Sequence, residues 1–458
     1  MAGKSLATIK KEEWKSEWEK DVESLYRKVL KRNPGFSFRE KQLDMICDMV
    51  RNFMQGEVGL KESPTGSGKT LVTLFAAAFF CMRHKERVVI ATPRKDLQQE
   101  YIETFKRLFR FGEFKGVSIS LLKGKTNYIS KVKLATEIMD CEDEELRDKL
   151  GDFQKKVAVS DGDIELLRDD FEMINTDKFT IDDFALTRGE TGPEDEHYYR
   201  LAVKRASAAT IVISNHVHLL AYAWRKSRSL ETPFSLDYMM VDEAHMLTYS
   251  AFSFLSEKIA AFHVVDCVKD YYKQLMRSKK EFRGKKALLE LVRESSETLR
   301  SLSGGLIKAL EPYQQKGIFH VREYGKTHVS RKDLQKVGGL LNTFSKEVSR
   351  IITTSEKYDL SLRSKRALSV IEDLNIGINN FLYGFEGLKP LEEAHHEVSP
   401  TRDSFYVITM SPVQKQPSFV RVKPEVSGWL YNFLWKEMKS AIMLSGTLAD
   451  AYSKDIEG

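Results

Sequence analysis

Apolar residues in the first third of the chain alternate between a helical spacing and short continuous runs. Between residues 4 and 32 they recur every three or four positions, which predicts an amphipathic helix that either docks on the core or binds a partner. Asn33-Pro34-Gly35 predicts the end of this helix, and a second helix is predicted from about Leu43 to Met54. The apolar stretch 71–80 predicts a buried helix. Three short runs predict strands, at residues 58–61, 87–93 and 117–122.

Two long polar stretches interrupt the strand-like runs in the rest of the chain. Residues 130–205 are acid-rich, and their pattern predicts a mostly helical insertion. Residues 250–400 again favour helices and include a basic cluster at 273–286. These basic residues either line a functional surface or form an ordinary charged helix face. Strands are predicted between and after these stretches, at 209–216, 236–241, 406–409, 419–422 and 440–447.

Composition narrows the class of protein. With 458 residues, 42% hydrophobic and 30% charged, the chain is expected to form two or three globular domains. Its longest apolar runs are shorter than the roughly 18 to 20 residues of a membrane span, and its start resembles no secretory signal. The net charge of +6 permits a polyanionic partner without requiring one.

The four cysteines are far apart and form no CxxC pair. This spacing favours reduced thiols over a zinc site or a disulfide framework, and we expect a cytoplasmic protein. They are Cys47, Cys81, Cys141 and Cys267.

Residues 62–70, Glu-Ser-Pro-Thr-Gly-Ser-Gly-Lys-Thr, lie between a predicted strand and a predicted helix. That order suits a phosphate-binding loop, because glycines let the backbone bend around a phosphate and the helix start presents free N–H groups to it. Lys69 would add a positive charge for the phosphates, and the hydroxyl of Thr70 suits Mg²⁺. A chance Gly-Lys-Thr in a flexible loop is the alternative. The candidate nucleotide-binding residues of this loop are Pro64, Thr65, Gly66, Ser67, Gly68, Lys69 and Thr70.

Asp242-Glu243-Ala244-His245 directly follows the strand-like run 236–241. In a parallel sheet this places the four residues at the same edge as the phosphate loop. Asp242 is suited to hold Mg²⁺ through water, and Glu243 to orient or deprotonate an attacking water. Two acids in a solvated turn are the alternative interpretation.

Together these motifs resemble those of superfamily 2 helicases. Ser63 departs from the general GxxxxGK[ST] pattern but matches the S-P-T-G-S-G-K-T form of such ATPases. Arg39 and Gln42 resemble the R-x-x-Q element that contacts adenine, and Ser445-Gly446-Thr447 resembles the element that couples nucleotide state to DNA. By this resemblance His245 is expected to hydrogen-bond toward Ser445 or Thr447.

The order of the insertions is similar to that of the XPD/DinG family. One insertion lies between the strand ending at Thr92 and Asp242, and another between Asp242 and Ser445; the phrases at 123–128 and 212–216 also resemble DinG. The resemblance implies an α/β fold, a RecA-like parallel-sheet motor domain with two largely helical insertions, one arch-like and one at the iron–sulfur-domain position. The expected divisions are an extension at 1–32, the motor domain at 33–128, 206–250 and 403–458, and insertions at 129–205 and 251–402.

Two departures from the family pattern refine this expectation. The first insertion contains only Cys141, whereas a cluster needs about four thiolates, so no iron–sulfur cluster is expected. A cluster-less DinG is similar to the CRISPR-associated DinG of type IV systems, which implies an RNA-guided ribonucleoprotein as partner. No second motor domain follows residue 447, so the chain is expected to be a truncated part of a longer helicase that binds ATP but hydrolyses it poorly alone.

Family elements also suggest where DNA would bind. Thr92, Arg94 and Lys95 match the element that grips the strand backbone, and Lys123, Lys125 and Tyr128 would continue that path unless the lysines are simply solvated. His216, His395 and His396 lack the company of other metal ligands.

The resemblance implies an ATP- and Mg²⁺-dependent 5′ to 3′ DNA helicase that translocates on single-stranded DNA. One alternative is a nucleotide-gated module that binds DNA or ribonucleoprotein without unwinding, and another is a P-loop ATPase for protein or small-molecule substrates.

Overall fold

The computed structural model describes residues 16–64, 66–176, 179–186, 192–277, 285–314, 322–323, 326–327, 330–386, 405–410, 417–422 and 426–446. The chain forms two compact units. The first comprises residues 1–251 and 427–458, and the second comprises residues 252–426. No helix among the described residues is long and apolar enough to cross a membrane.

The first unit begins with an alternation of helices and strands. In chain order these are α1 (Glu17–Arg32), α2 (Glu40–Gln55), β1 (Val58–Glu62), α3 (Lys69–His84), β2 (Val88–Thr92), α4 (Lys95–Leu108) and β3 (Ile119–Leu121). There follow α5 (Lys131–Asp140), α6 (Glu144–Val159), α7 (Ile164–Glu172), α8 (His197–Ala208), β4 (Ile211–Asn215), α9 (His216–Ser227), β5 (Tyr238–Val241) and α10 (His245–Leu255).

The second unit is mainly helical. Its elements are β6 (Glu257–Ala260), α11 (Ala261–Arg277), α12 (Lys286–Gln314), β7 (Arg322–Glu323), β8 (Lys326–Thr327), α13 (Arg331–Ser355), α14 (Leu362–Glu386), β9 (Phe405–Met410) and β10 (Pro417–Val422). The chain then returns to the first unit through α15 (Val426–Leu430), a π-helical turn at Tyr431–Trp435 and β11 (Ser440–Ser445).

A six-stranded parallel sheet organises the first unit, in the order β1-β11-β5-β2-β4-β3. β2 is buried along its whole length, as expected for a strand with helices on both faces. The register aligns the strand ends, since Glu62 lies opposite Ser445 and Met443 opposite Val241. The predicted α/β fold class with a parallel sheet is therefore confirmed, and the carboxyl ends of β1, β11 and β5 form one edge.

Helices α1, α2 and α3 share one hydrophobic core with this sheet. Eleven consecutive residues of α3, from Leu71 to Cys81, are buried, which matches the continuous apolar pattern of the sequence. Val22, Tyr26 and Val29 of α1 are buried in the same core. The described part of the first helix therefore docks on the core, and partner binding is not needed to explain its apolar face.

The acid-rich segment 129–205 belongs to the first compact unit. Its helices begin at polar caps, because the side chains of Ser130, Asp143 and Asp163 each accept a hydrogen bond from a backbone N–H of the first turn. Phe153 and Phe171 pack edge to face inside the segment. The predicted helical character is confirmed for its described residues.

The second unit packs α11 to α14 around its own hydrophobic core and adds an antiparallel sheet in the order β6-β10-β9. The strands predicted at 406–409 and 419–422 are present, but the expected placement of residues 403–426 in the motor domain is corrected. Both strands pair within the second unit, β10 with β6 and with β9. An apolar run predicts a strand but does not specify its pairing partner, so the sequence could not assign these two strands to a unit. The boundary falls at residue 427 rather than at 403.

Candidate nucleotide-binding site

The loop between β1 and α3 has the geometry of a phosphate-binding turn. Gly66 and Gly68 adopt left-handed φ values of 77° and 85°, a conformation that costs glycine little, and α3 starts directly after Gly68. The Ser63 and Ser67 hydroxyl oxygens are 2.5 Å apart, and the Ser67 N–H donates to the Pro64 carbonyl at 3.2 Å. Ser63, which stands where the general motif has glycine, therefore closes the base of the loop with its side chain. Thr65 lies outside the described residues.

Lys69 and Glu243 form an ion pair across the site. The distance from Lys69 Nζ to Glu243 Oε1 is 2.9 Å, and the two side chains are 12% and 23% exposed. Glu243 has a φ of 47°, an uncommon conformation for a residue other than glycine. Such backbone strain is found preferentially at functional sites. The two residues predicted to contact phosphate and water are thus in contact with each other.

Asp242 is a buried carboxylate with two donors. It is 4% exposed, Tyr101 Oη–H donates to its Oδ2 at 3.1 Å, and the Glu243 N–H donates to its Oδ1 at 3.0 Å. Burial, together with the negative charge of Glu243, raises the pKa of Asp242, while Tyr101 and Lys69 act in the opposite direction. A nearby cation would favour its ionised form.

The two residues predicted to hold Mg²⁺ both contact adjacent residues of α4. Thr70 Oγ1 donates to Glu100 Oε1 at 2.9 Å, and Tyr101 donates to Asp242. A hydroxyl and a carboxylate are hard oxygen ligands, which fit Mg²⁺ when nucleotide phosphates and waters complete its shell. Among the described residues, no three His, Cys, Asp or Glu side chains converge in a way that could hold a metal ion without such help. The sequence interpretation missed Glu100 and Tyr101, although α4 begins just after the carboxyl end of β2, at the same edge of the sheet as the phosphate loop.

His245 connects Glu243 to β11. Its Nδ1 lies 2.7 Å from Ser445 Oγ and 3.5 Å from Glu243 Oε2. The Ser445 carbonyl in turn accepts from the Ser63 N–H at 3.0 Å, so β11 also contacts the phosphate loop. The expected contact from His245 to Ser445 is present, while Thr447 lies outside the described residues.

Gln42 lies directly against the phosphate loop. Its Nε2 donates to the Ser67 carbonyl at 2.6 Å, and its Oε1 accepts from the Tyr26 hydroxyl at 2.8 Å. Arg39, the other residue of the R-x-x-Q element, is exposed at the start of α2. The structure therefore brings Gln42 to the loop, and it adds Tyr26, which the sequence interpretation placed on the apolar face of the first helix without a role in this site.

His216, the first residue of α9, contacts the backbone of the site. Its Nε2 donates to the Asp242 carbonyl at 2.8 Å, and its ring is 1% exposed. Burial lowers the pKa of His216 to about 4, so the imidazole is neutral at pH 7. It was not expected to be a metal ligand, and the family-like phrase 212–216 was the available signal for this role.

Of the six residues predicted to contact DNA, two are exposed, one is partly buried and three are buried. Arg94 and Lys95 are exposed at the start of α4, where Arg94 pairs with Asp96. Lys95 Nζ lies 3.4 Å from Glu165. Thr92 precedes them at the end of β2, but it is fully buried, and its hydroxyl has no hydrogen-bond partner among the described residues.

The expected DNA contacts of Lys123 and Tyr128 conflict with their burial, since each is 3% exposed. Lys123 Nζ pairs with Asp163 at 2.6 Å, and the Tyr128 hydroxyl accepts from the Lys123 N–H at 3.2 Å. Burial also raises the pKa of Tyr128. These two residues therefore connect the segment 129–205 to the sheet instead of facing a strand. Lys125, whose side chain is 17% exposed, pairs with Glu196 at 2.7 Å.

Comparisons with known proteins give the family and several relatives of this chain. The family model described as type III restriction enzyme, res subunit, matches residues 35–277, just over half of the chain. The relative named 3'-5' exonuclease DinG from Staphylococcus epidermidis is 23% identical across 94% of this chain and 47% of its own length. A relative of the same name from Bacillus subtilis is 28% identical across 53% of this chain and 26% of its own length.

A third relative, named ATP-dependent DNA helicase YoaA, from Escherichia coli, is 26% identical across 53% of this chain and 38% of its length. The chain thus spans less than half the length of each of these curated relatives. Among solved structures, one titled "Structure of S. tokodaii Xpd4" aligns with a TM-score of 0.36 and 12% identity, covering 91% of this chain and 59% of that one.

Proposed function

Because the chain belongs to the family described as type III restriction enzyme, res subunit, we propose that it is the ATP-binding motor part of a DNA helicase of the DinG and XPD type. The observation that supports this most directly is the meeting of Lys69, Glu243 and Asp242 at the carboxyl edge of the parallel sheet. Relatives named DinG and YoaA favour a DNA substrate over a protein or small-molecule substrate.

In this proposal the Lys69–Glu243 pair is the resting arrangement. Lys69 would turn to the phosphates of ATP, whose N–H contacts come from the loop around Gly66 and the start of α3. Glu243 would then be free to orient a water or take its proton. Thr70 and Asp242 would hold Mg²⁺, which neutralises charge on the phosphates when bound. Loss of the ion pair costs little net energy if each charge finds a new partner, and much more if either stays unpaired.

His245 is the residue through which nucleotide state would reach the rest of the motor. It contacts Glu243 on one side and Ser445 on the other, and Ser445 also contacts the loop through Ser63. A rearrangement of Glu243 would therefore change the contacts of His245 with Ser445 at the end of β11. We propose that this link couples hydrolysis to translocation on single-stranded DNA.

The finer features of the proposal are 5′ to 3′ polarity, the lack of an iron–sulfur cluster and service to an RNA-guided complex of the type IV CRISPR class. The sequence resemblance supports the polarity and the complex, and the presence of one cysteine, Cys141, between residues 129 and 205 supports the lack of a cluster. The exposed Arg94 and Lys95 are the proposed DNA contacts. Bound ribonucleoprotein is thus a proposed partner in addition to DNA.

ATP turnover by the full-length protein, with and without single-stranded DNA, tests the main proposal. We expect DNA to stimulate turnover, Lys69→Ala to abolish it, and Glu243→Gln to bind ATP while slowing turnover about 10²- to 10⁴-fold. Glu103→Gln, an exposed glutamate of α4, is the matched control and should behave like the unsubstituted protein.

ATP that binds but is not hydrolysed with DNA present would refute the helicase proposal and favour the nucleotide-gated binding module. The Lys69–Glu243 pair is compatible with that alternative, since it withholds the carboxylate from water until it opens. Duplexes with 5′ or 3′ overhangs in the same assay determine the polarity. Retention of the protein on an immobilised RNA-guided complex, against bare RNA, tests the partner.

A further inference from the structure

A chain of two hydrogen bonds links α1 to the phosphate loop. The Tyr26 hydroxyl donates to Gln42 Oε1 at 2.8 Å, and Gln42 Nε2 donates to the Ser67 carbonyl at 2.6 Å. Tyr26 is fully buried, and burial raises its pKa to about 12. The hydroxyl therefore keeps its proton at neutral pH and acts as the donor.

Packing fixes both members of this link in place. The Tyr26 ring contacts Phe75 of α3 edge to face, with centroids 5.2 Å apart, and also Phe38 at 5.8 Å. The Gln42 amide is pressed against the loop, because a Cβ added at Gly68 would lie 2.4 Å from its Nε2. Gly68 is thus needed both for its φ of 85° and for the close approach of Gln42.

These contacts use half of the hydrogen-bonding capacity of the Gln42 amide. A glutamine side chain has two N–H donors and two acceptor lone pairs. Ser67 takes one donor and Tyr26 fills one acceptor position, so one of each remains. The rotated amide would direct its oxygen at the Ser67 carbonyl oxygen, so the orientation with the nitrogen toward Ser67 is strongly preferred.

The remaining donor and acceptor match adenine better than guanine. The edge of adenine presents the N7 acceptor and the N6 donor, whereas that of guanine presents two acceptors, N7 and O6. An amide held in one orientation can satisfy both adenine groups, but it meets guanine O6 with its own oxygen. A freely rotating amide would discriminate less.

We propose that Tyr26 is a positioning residue of the nucleotide site, whose hydroxyl, together with the Ser67 carbonyl, holds the Gln42 amide in the orientation that selects adenine over guanine. This inference rests on the proposed ATP-binding function. It assigns a role to α1, which is fixed to α2 by an ion pair between Glu19 and Arg51 at 2.6 Å. Helix α1 is then part of the nucleotide site through its buried face, although it contributes no residue to the loop itself.

Equilibrium titration with Mg·ATP and Mg·GTP, monitored by intrinsic fluorescence or calorimetry, tests this role in Tyr26→Phe. The phenylalanine keeps the ring contacts with Phe75 and removes only the hydroxyl. We expect ATP affinity to fall about 3- to 10-fold, the size of one neutral hydrogen bond, and GTP affinity to change less than about twofold. The matched control is Tyr271→Phe, since Tyr271 is equally buried in the second unit and donates to Ser355 at 2.9 Å.

A double-mutant cycle separates positioning from general loosening. Gln42→Ala should also weaken ATP, and adding Tyr26→Phe to it should cause no further loss. An unchanged ratio of ATP to GTP affinity in Tyr26→Phe, or an equal loss of both nucleotides, would overturn the role of Tyr26. If the unsubstituted protein binds neither nucleotide, the proposed function fails and this role fails with it.

Discussion

Replacing Tyr101 by phenylalanine perturbs the buried carboxylate of the site and little else. Tyr101 is fully buried and its hydroxyl donates to Asp242 Oδ2, so Tyr101→Phe keeps the ring in the core and removes one of the two observed donors to this carboxylate. The pKa of Asp242 is already raised by its burial and by the charge of Glu243. Loss of the tyrosine donor will raise it further.

The size of the effect follows from the nature of the hydrogen bond. A hydrogen bond to a charged group contributes about 1.5 to 3 kcal/mol. At about 1.4 kcal/mol per pKa unit, this corresponds to an upward shift of about one to two units for Asp242. Because Mg²⁺ binding requires the ionised carboxylate, the acidic limb of nucleotide-dependent activity should move to higher pH by the same amount.

Stability should respond in the direction set by the same shift. The folded state holds the Asp242 proton more tightly than the unfolded chain does. The contribution of the protonated Asp242 carboxyl to the free energy of unfolding is therefore fully present below the unfolded pKa and is lost as the pH rises through the higher folded pKa. Tyr101→Phe extends this loss to higher pH, and the variant should be less stable than the unsubstituted protein at pH 7.

The assay is the pH dependence of Mg·ATP turnover with DNA, together with urea unfolding at pH 5 and pH 7. Tyr271→Phe again serves as control, because it removes an equally buried tyrosine hydroxyl from the second unit. An acidic limb that stays in place in Tyr101→Phe, while the variant remains folded, would show that Asp242 does not control the limb.

Two further predictions concern the segment 129–205. Lys123→Met leaves Asp163 buried without its ion-pair partner and should lower the free energy of unfolding, measured in urea, by about 3 to 5 kcal/mol. The double variant Lys123→Met with Asp163→Asn should recover part of this loss. Equal stability of the single and the double variant would contradict the buried-pair argument. The purified protein should contain no stoichiometric iron or acid-labile sulfide, and Cys141→Ser should leave its thermal midpoint and ATP turnover unchanged; iron that is lost on this substitution would contradict the cluster-less assignment.

The sequence alone predicted the α/β class and much of the site. Glycines at 66 and 68 between an apolar strand and an apolar helix specify the loop locally, because few other residues tolerate those backbone angles. Parallel strands place their carboxyl ends together, so the order of motifs also predicted that Asp242 would lie at the edge occupied by the loop. The family resemblance predicted the contact of His245 with Ser445. These features depend on neighbours in sequence or on a general rule of sheet topology.

Tertiary structure alone decided which distant side chains meet. Periodicity predicted an apolar face that includes Tyr26, and family resemblance predicted a DNA contact for Tyr128. Neither could show that the Tyr26 hydroxyl donates to Gln42 or that the Tyr128 hydroxyl accepts from the Lys123 N–H. The same holds for Tyr101, which reaches Asp242 across 141 positions of sequence. Local pattern encodes whether a residue is buried, whereas its polar partner is set by how separate helices pack. For that reason the phosphate loop was predicted from sequence, while the residues that position it emerged only from the fold.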